Sequence, residues 1–271
     1  MRIPVDDLVL DAVDAGPADG EPVLLLHGFP QTSHCWRGVW PLLADAGMRV
    51  VAPDQRGYSP DARPEGKAAY RMPKLLGDAL AVLDVLGGTA HVVGHDWGGA
   101  VAWQLAARYP ERVRSLTAVS VPHPLAFVDA LRGDDDQRRR SLYMRDFASQ
   151  GSEDRLLADD AKGLRALFEG TEAVDVDHVL SVVNDPTVLR RCLDYYSAQS
   201  LDDMQGLRPV TVPTVQVWSD HDRALGPAGP LATASYVSGP YRLEIFTGLT
   251  HWLPEEAPQQ LAELVLEHGR G

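Results

Sequence analysis

The chain has 271 residues, enough for one large domain or a domain with a sizeable insertion, and its 45% hydrophobic and 23% charged content is that of an ordinary globular protein. A formal net charge of −13 disfavours nucleic acid and anionic membrane surfaces as partners. The two cysteines, Cys35 and Cys192, fit neither a disulfide framework nor metal-ligand spacing and read as reduced thiols.

The start, "MRIPVDDLVL", has no basic region followed by an apolar stretch, and no apolar run approaches transmembrane length. A cytoplasmic protein is expected. "LVLDAV" (8–13) fits an antiparallel edge strand. "PVLLLHG" (22–28) is apolar throughout, the pattern of a strand buried on both faces. A helix-patterned segment at 34–47 closes on Gly47. "MRVVAPD" (48–54) is the next strand. The helix predicted at 72–88 opens with Pro73 in its first turn and closes on Gly87-Gly88. Strand "AHVVGHD" (90–96) leads to a helix at 99–110, stopped by Pro110. Strand "VRSLTAVSVP" (113–122) follows.

Residues 124–209 break the alternation. Segments 134–150, 152–170, 174–185 and 187–200 read as helices with no buried-strand run between them. The adjacent runs Asp134–Asp136 and Arg138–Arg140 read as a solvated helix start. "PTVQVWSD" (213–220) and "YRLEIFTG" (241–248) restore the strand pattern, and 255–269 is the closing helix. The fold class is therefore α/β, a mainly parallel sheet flanked by helices. The expected division is a core of 1–123 and 210–271 with a helical insertion at 124–209.

The chemistry centres on "VGHDWGG" (93–99). It has the glycine spacing of a nucleophile elbow, G-x-S-x-G, with Asp96 in the serine position. A nucleophile needs a base, and the base an orienting acid. "WSDHD" offers Asp220 and Asp222, and "TGLTHWLP" offers His251. Both stretches follow predicted strands, in the order nucleophile, acid, histidine. Each alone has a bland reading as a turn aspartate or loop histidine. The three together point to catalysis. The loop His27-Gly28-Phe29-Pro30 can present the Phe29 N–H, which with the Trp97 N–H would form an oxyanion hole.

These residues resemble the α/β-hydrolase family over nearly the whole chain, and within it the epoxide hydrolase branch, where HGFP and GHDWGG occur together. The resemblance implies an α/β-hydrolase fold with an inserted helical cap. "DQRGYSP" (54–60) departs from the family's D-x-R-G-x-G-x-S by carrying Ser59 for the second glycine. "WSDHD" carries Ser219 where glycine is frequent, and the G-x-x-D spacing selects Asp222 over Asp220. The family's N-terminal antiparallel strand reads as short or missing, so a sheet of fewer than eight strands is expected.

A carboxylate nucleophile excludes acyl substrates, because the product would be an unstable anhydride. Displacement at a saturated carbon instead gives an alkyl ester, which water activated by His251 can hydrolyse. An epoxide oxygen also needs a proton donor. By resemblance Tyr143 and Tyr196 match the two cap tyrosines of epoxide hydrolases, with Tyr195 as the fallback for the second. Tyr143 and Phe147, four apart on a helix, also fit simple packing. A pocket walled by Pro30, Trp97, Tyr195 and Trp252 is expected.

The leading reading is an epoxide hydrolase that converts a small apolar epoxide and water into a vicinal diol. A haloalkane dehalogenase with the same triad is the alternative; Trp97 suits a halide, but many such enzymes carry Asn at the position of Phe29. An arginine after the nucleophile, as in fluoroacetate dehalogenases, is absent. A non-catalytic ligand-binding member of the fold, or a defunct serine hydrolase, would have no need of the whole constellation. His95 reads as structural, pointing away from the elbow tip. His91 and His95 lie four apart on a strand and would not share a metal. His123 is assigned no chemistry. No metal, no cofactor, no nucleic acid and no membrane partner is expected, and the state as a monomer or homodimer.

Overall fold

The computed structural model describes residues 1–269. Its strands are β1 (Arg2–Val5), β2 (Leu8–Ala15), β3 (Glu21–Leu26), β4 (Met48–Pro53), β5 (Ala90–His95), β6 (Val113–Val119), β7 (Thr214–Ser219) and β8 (Tyr241–Phe246). They form one sheet in the order β1-β2-β4-β3-β5-β6-β7-β8. β2 is antiparallel to both β1 and β4, and the other neighbours are parallel. The sheet thus has eight strands, not fewer. The unforeseen strand is β1, four residues long and interrupted by Pro4, too short for a period and tolerable only on an edge.

The uniformly apolar runs are explained by two-sided burial. In β3, Val23 and Leu25 join one core cluster while Leu24 and Leu26 join the other. The flanking helices are α1 (Trp40–Asp45), α2 (Met72–Val85) and α3 (Trp97–Arg108). Leu75, Val82, Val101 and Leu105 pack on one face, and Leu43, Leu261 and Val265 on the other.

Between β6 and β7 come α4 (Pro124–Gly133), α5 (Asp135–Arg140), α6 (Leu142–Phe147), α7 (Ser152–Arg165), α8 (Val176–Val183) and α9 (Pro186–Ala198), an inserted helical cap. The core closes with α10 (Ala228–Ala232), α11 (Leu253–Glu256) and α12 (Pro258–Gly269). Several expected helices are split; 134–150, for one, is divided between α5 and α6 at Ser141. A 3₁₀ turn, Ser33–Trp36, precedes α1, because Pro41 cannot continue a helix through the carbonyl four residues before it. Pro258 likewise separates α11 from α12. Within α7 the backbone leaves the helical region at Ala158–Ala161, where Asp159 and Asp160 take the left-handed conformation that aspartate tolerates. No helix among the described residues is long and apolar enough to cross a membrane.

Candidate active site

β5 ends at His95 and α3 starts at Trp97, leaving Asp96 alone at the turn with φ 51° and ψ −120°. A non-glycine residue held there costs about 1–3 kcal/mol, a strain that surrounding packing must sustain. The packing is tight. A Cβ on Gly98 would stand 2.2 Å from the Leu26 carbonyl oxygen, so only glycine lets α3 approach β3 this closely. A Cβ on Gly28 would lie 2.3 Å from Oδ1 of Asp96, so the HGFP loop can press its backbone against that carboxylate only without a side chain.

Asp222 follows β7 and His251 follows β8, at the same carboxyl edge of the sheet as Asp96. His251 Nδ1 lies 2.7 Å from Asp222 Oδ2, and His251 Nε2 lies 3.5 Å from Asp96 Oδ2. Asp222 is buried, and its Oδ1 accepts hydrogen bonds from the N–H groups of Ala224 (2.8 Å) and Leu225 (2.9 Å). Asp220 is exposed and turns instead to the Gly248 N–H. Burial would lower the pKa of His251, but the Asp222 and Asp96 carboxylates outweigh it and push it up to about 10. Burial would raise the pKa of Asp96, but His251, His95 and the Trp97 N–H hold it below the ordinary value. The resting pair is therefore carboxylate and imidazolium at neutral pH.

The Phe29 N–H donates to Asp96 Oδ1 at 2.8 Å. His27, buried beside the loop, accepts from the Gln55 N–H at 2.9 Å through Nε2, which requires the neutral Nδ1–H tautomer. Its role is to hold the loop.

Two cavities of about 210 and 170 Å³ share Asp96, Tyr143 and Tyr196 in their walls. Phe29, Phe147, Leu167, His251 and Trp252 are among the other residues lining the first; Trp97, Phe127, Met144 and Met204 are in the second. Burial pushes both phenols well above the usual tyrosine range, with the Asp96 charge adding to the effect. Both are thus neutral O–H donors. Tyr143 and Phe147 do pack, with ring centroids 5.2 Å apart, and Tyr143 still reaches the cavities.

Two expected pocket residues lie elsewhere. Tyr195 is 1% exposed, and its hydroxyl donates to the Arg56 carbonyl at 2.8 Å, anchoring α9 to the DQRG loop. Cys192, one turn earlier, faces the same loop. Pro30 is buried and lines neither cavity. The departures from the family motifs have partners of their own. The Ser59 hydroxyl donates to the Asp54 carbonyl and accepts from the Asp11 N–H, tying β2 to the loop. The Ser219 hydroxyl donates to the Thr250 carbonyl and tethers the His251 loop.

Sequence reasoning missed the brace on the acid loop. Gln137, 1% exposed, donates to the Ala224 carbonyl and accepts from the Gly226 N–H, and Arg140 donates to the Asp222 carbonyl. The charged run 134–140 is therefore partly a cap-to-core contact and not wholly solvated. No sequence signal distinguishes Gln137 from its exposed neighbours, because its partners are backbone groups of a distant loop. Among the described residues no cluster of His, Cys, Asp or Glu is arranged to hold a metal ion.

The alpha/beta hydrolase fold family model matches residues 21–258. The AB hydrolase superfamily protein YfhM of Bacillus subtilis is 34% identical over 276 residues, covering 96% of this chain and 94% of that one. Epoxide hydrolase A of Mycobacterium tuberculosis is 30% identical and covers 98% of both chains. The crystal structure of Bacillus megaterium epoxide hydrolase in complex with an inhibitor superposes with a TM-score of 0.90 at 27% identity, over 100% of both chains.

Proposed function

The chain belongs to the α/β-hydrolase fold family, in its epoxide hydrolase branch, and on that premise we propose that it opens a small apolar epoxide through a covalent ester on Asp96. Residues 124–209 are the cap and the remainder the hydrolase core. The observation that carries the reading is the division of labour within one carboxylate. Oδ1 is held by the Phe29 N–H, while Oδ2 is turned to His251 and is free to attack.

Oδ2 forms a bond to a ring carbon as the carbon–oxygen bond of the epoxide breaks. The leaving oxygen takes a proton from Tyr143 or Tyr196. The phenolate is reprotonated by the His251 imidazolium, directly or through water. Esterification removes the negative charge that held that proton, so neutral His251 is produced when it is needed. It then takes a proton from water as the water oxygen attacks Cγ of Asp96. The developing oxyanion is Oδ1, already held by the Phe29 N–H, with the Trp97 N–H as its proposed second donor. Collapse expels the diol oxygen, which takes the proton from His251. The Asp96 carboxyl returns its own proton to His251, restoring the ion pair. Asp222 keeps Nδ1–H oriented and supports the cation throughout.

The test is to incubate the protein separately with an aryl epoxide and a bromoalkane. Diol from the first, abolished in Asp96→Asn, is the expected result. Bromide without diol would establish the dehalogenase alternative. Tight binding without turnover would establish a ligand-binding protein.

A further inference from the structure

Two buried donors converge on one backbone carbonyl of the site. His95 Nε2 lies 2.9 Å from the carbonyl oxygen of His251, and Ser120 Oγ lies 2.9 Å from the same oxygen. Both side chains are 0% exposed. A carbonyl cannot donate, so Nε2 carries the His95 proton and Nδ1 is left as an acceptor. That Nδ1 is buried and has no partner among the described residues. Leaving such an acceptor unpaired costs about 1–3 kcal/mol, which an apolar side chain filling the same space would avoid. Ser120 carries a second cost, a left-handed backbone with φ 68°. Two unfavourable features thus serve one acceptor.

The acceptor is well placed. His95 immediately precedes Asp96, and Ser120 immediately follows β6, the next strand in the sheet. The loop holding His251 is also tied just before it, through the Leu249 carbonyl to the His221 N–H and through Thr250 to Ser219 and Glu256. Among the described residues only the His95 and Ser120 bonds grip the base residue by its own backbone oxygen, on the side of the nucleophile strand. The two imidazole rings stand 4.9 Å apart.

We propose that His95, assisted by Ser120, is a positioning residue for the hydrolysis half-reaction, fixing the backbone of His251 so that its Nε2 is held at the Asp96 ester carbon. This rests on the Asp96 ester described above. Burial depresses the His95 pKa to about 4, so the ring stays neutral beside the His251 cation. The alkylation step needs Asp96 and the cap tyrosines but no base, so it is insensitive to where Nε2 stands.

The test compares wild type with His95→Leu, His95→Gln and Ser120→Ala in rapid-quench turnover of an aryl epoxide, reading adduct by intact mass and diol in the same samples. In His95→Leu, hydrolysis of the adduct should slow about 10- to 100-fold while alkylation stays within about threefold, so the ester accumulates. His95→Gln keeps a donor near the Nε2 position and should recover most of the loss. Ser120→Ala, a small change that carries the test if His95→Leu fails to fold, should shift the same split in the same direction. Equal slowing of both steps, unchanged hydrolysis, or His95→Gln no better than His95→Leu would overturn the proposal. If wild type forms no Asp96 adduct, the ester reading itself falls and takes this one with it. A wild-type adduct with an unmoved split defeats only the positioning role.

Discussion

Removing the charge on Asp96 should change what His251 can do, and the size of the change follows from the geometry. Nε2 stands 3.5 Å from Oδ2, where one unit charge at an effective dielectric near 20 is worth ~5 kcal/mol. That corresponds to a fall of ~3–4 pKa units on esterification, from the resting value of about 10 to near neutrality. Alkylation requires only ionised Asp96, whose pKa is depressed, so it should be flat from mildly acidic to alkaline pH and fail only in acid. Hydrolysis requires neutral His251 in the ester, so it should rise with pH through a midpoint near neutrality and then level. The assay is stopped-flow tryptophan fluorescence under single-turnover conditions across pH 5–10, since Trp97 adjoins Asp96 and Trp252 lines the first cavity. A hydrolysis midpoint that stays near 10, or both phases following one midpoint, would refute the reasoning.

Tyr143→Phe and Tyr196→Phe should each reduce the alkylation rate about 10- to 100-fold, and the pair about 10³-fold or more, with hydrolysis of preformed ester unaffected; quench-flow resolves the two steps. His251→Gln should still alkylate but turn over at least ~10³-fold more slowly, and intact mass spectrometry should find the protein carrying one substrate equivalent. Gly98→Ala forces a Cβ against the Leu26 carbonyl and should destabilise the fold by ~1–3 kcal/mol or more, read as a lower denaturation midpoint. Oxidation state should not matter to activity, because Cys35 and Cys192 are buried, and burial raises both thiol pKa values; thiol-blocking reagents applied to the folded protein should leave turnover unchanged.

Much of this was legible because parallel strands leave a strong sequence trace. Two-sided burial makes β3 apolar from Pro22 to Leu26 and β4 to β7 rich in apolar residues, and the elbow needs small residues wherever α3 meets β3. The order Asp96, Asp222, His251 followed from the strand pattern, since each residue lies at or just past the carboxyl end of a strand, β5, β7 and β8. The edge strand β1 left no trace, being short and half exposed. Tyr195 and Tyr196 were hard to separate because adjacent positions on a helix differ by about 100°. Only the contact of Tyr195 and Cys192 with the DQRG loop decides that Tyr196 faces the cavity. Gln137, Arg140 and the His95–Ser120 clamp act on backbone groups of distant loops, which no local pattern encodes.

In the proposed reaction water attacks Asp96 and not the epoxide. A single turnover in H₂¹⁸O, with enzyme in excess, tests it directly. Unlabelled diol and an ¹⁸O atom in the peptide containing Asp96 are the expected result. Label in the first diol, with Asp96 unlabelled, would contradict it.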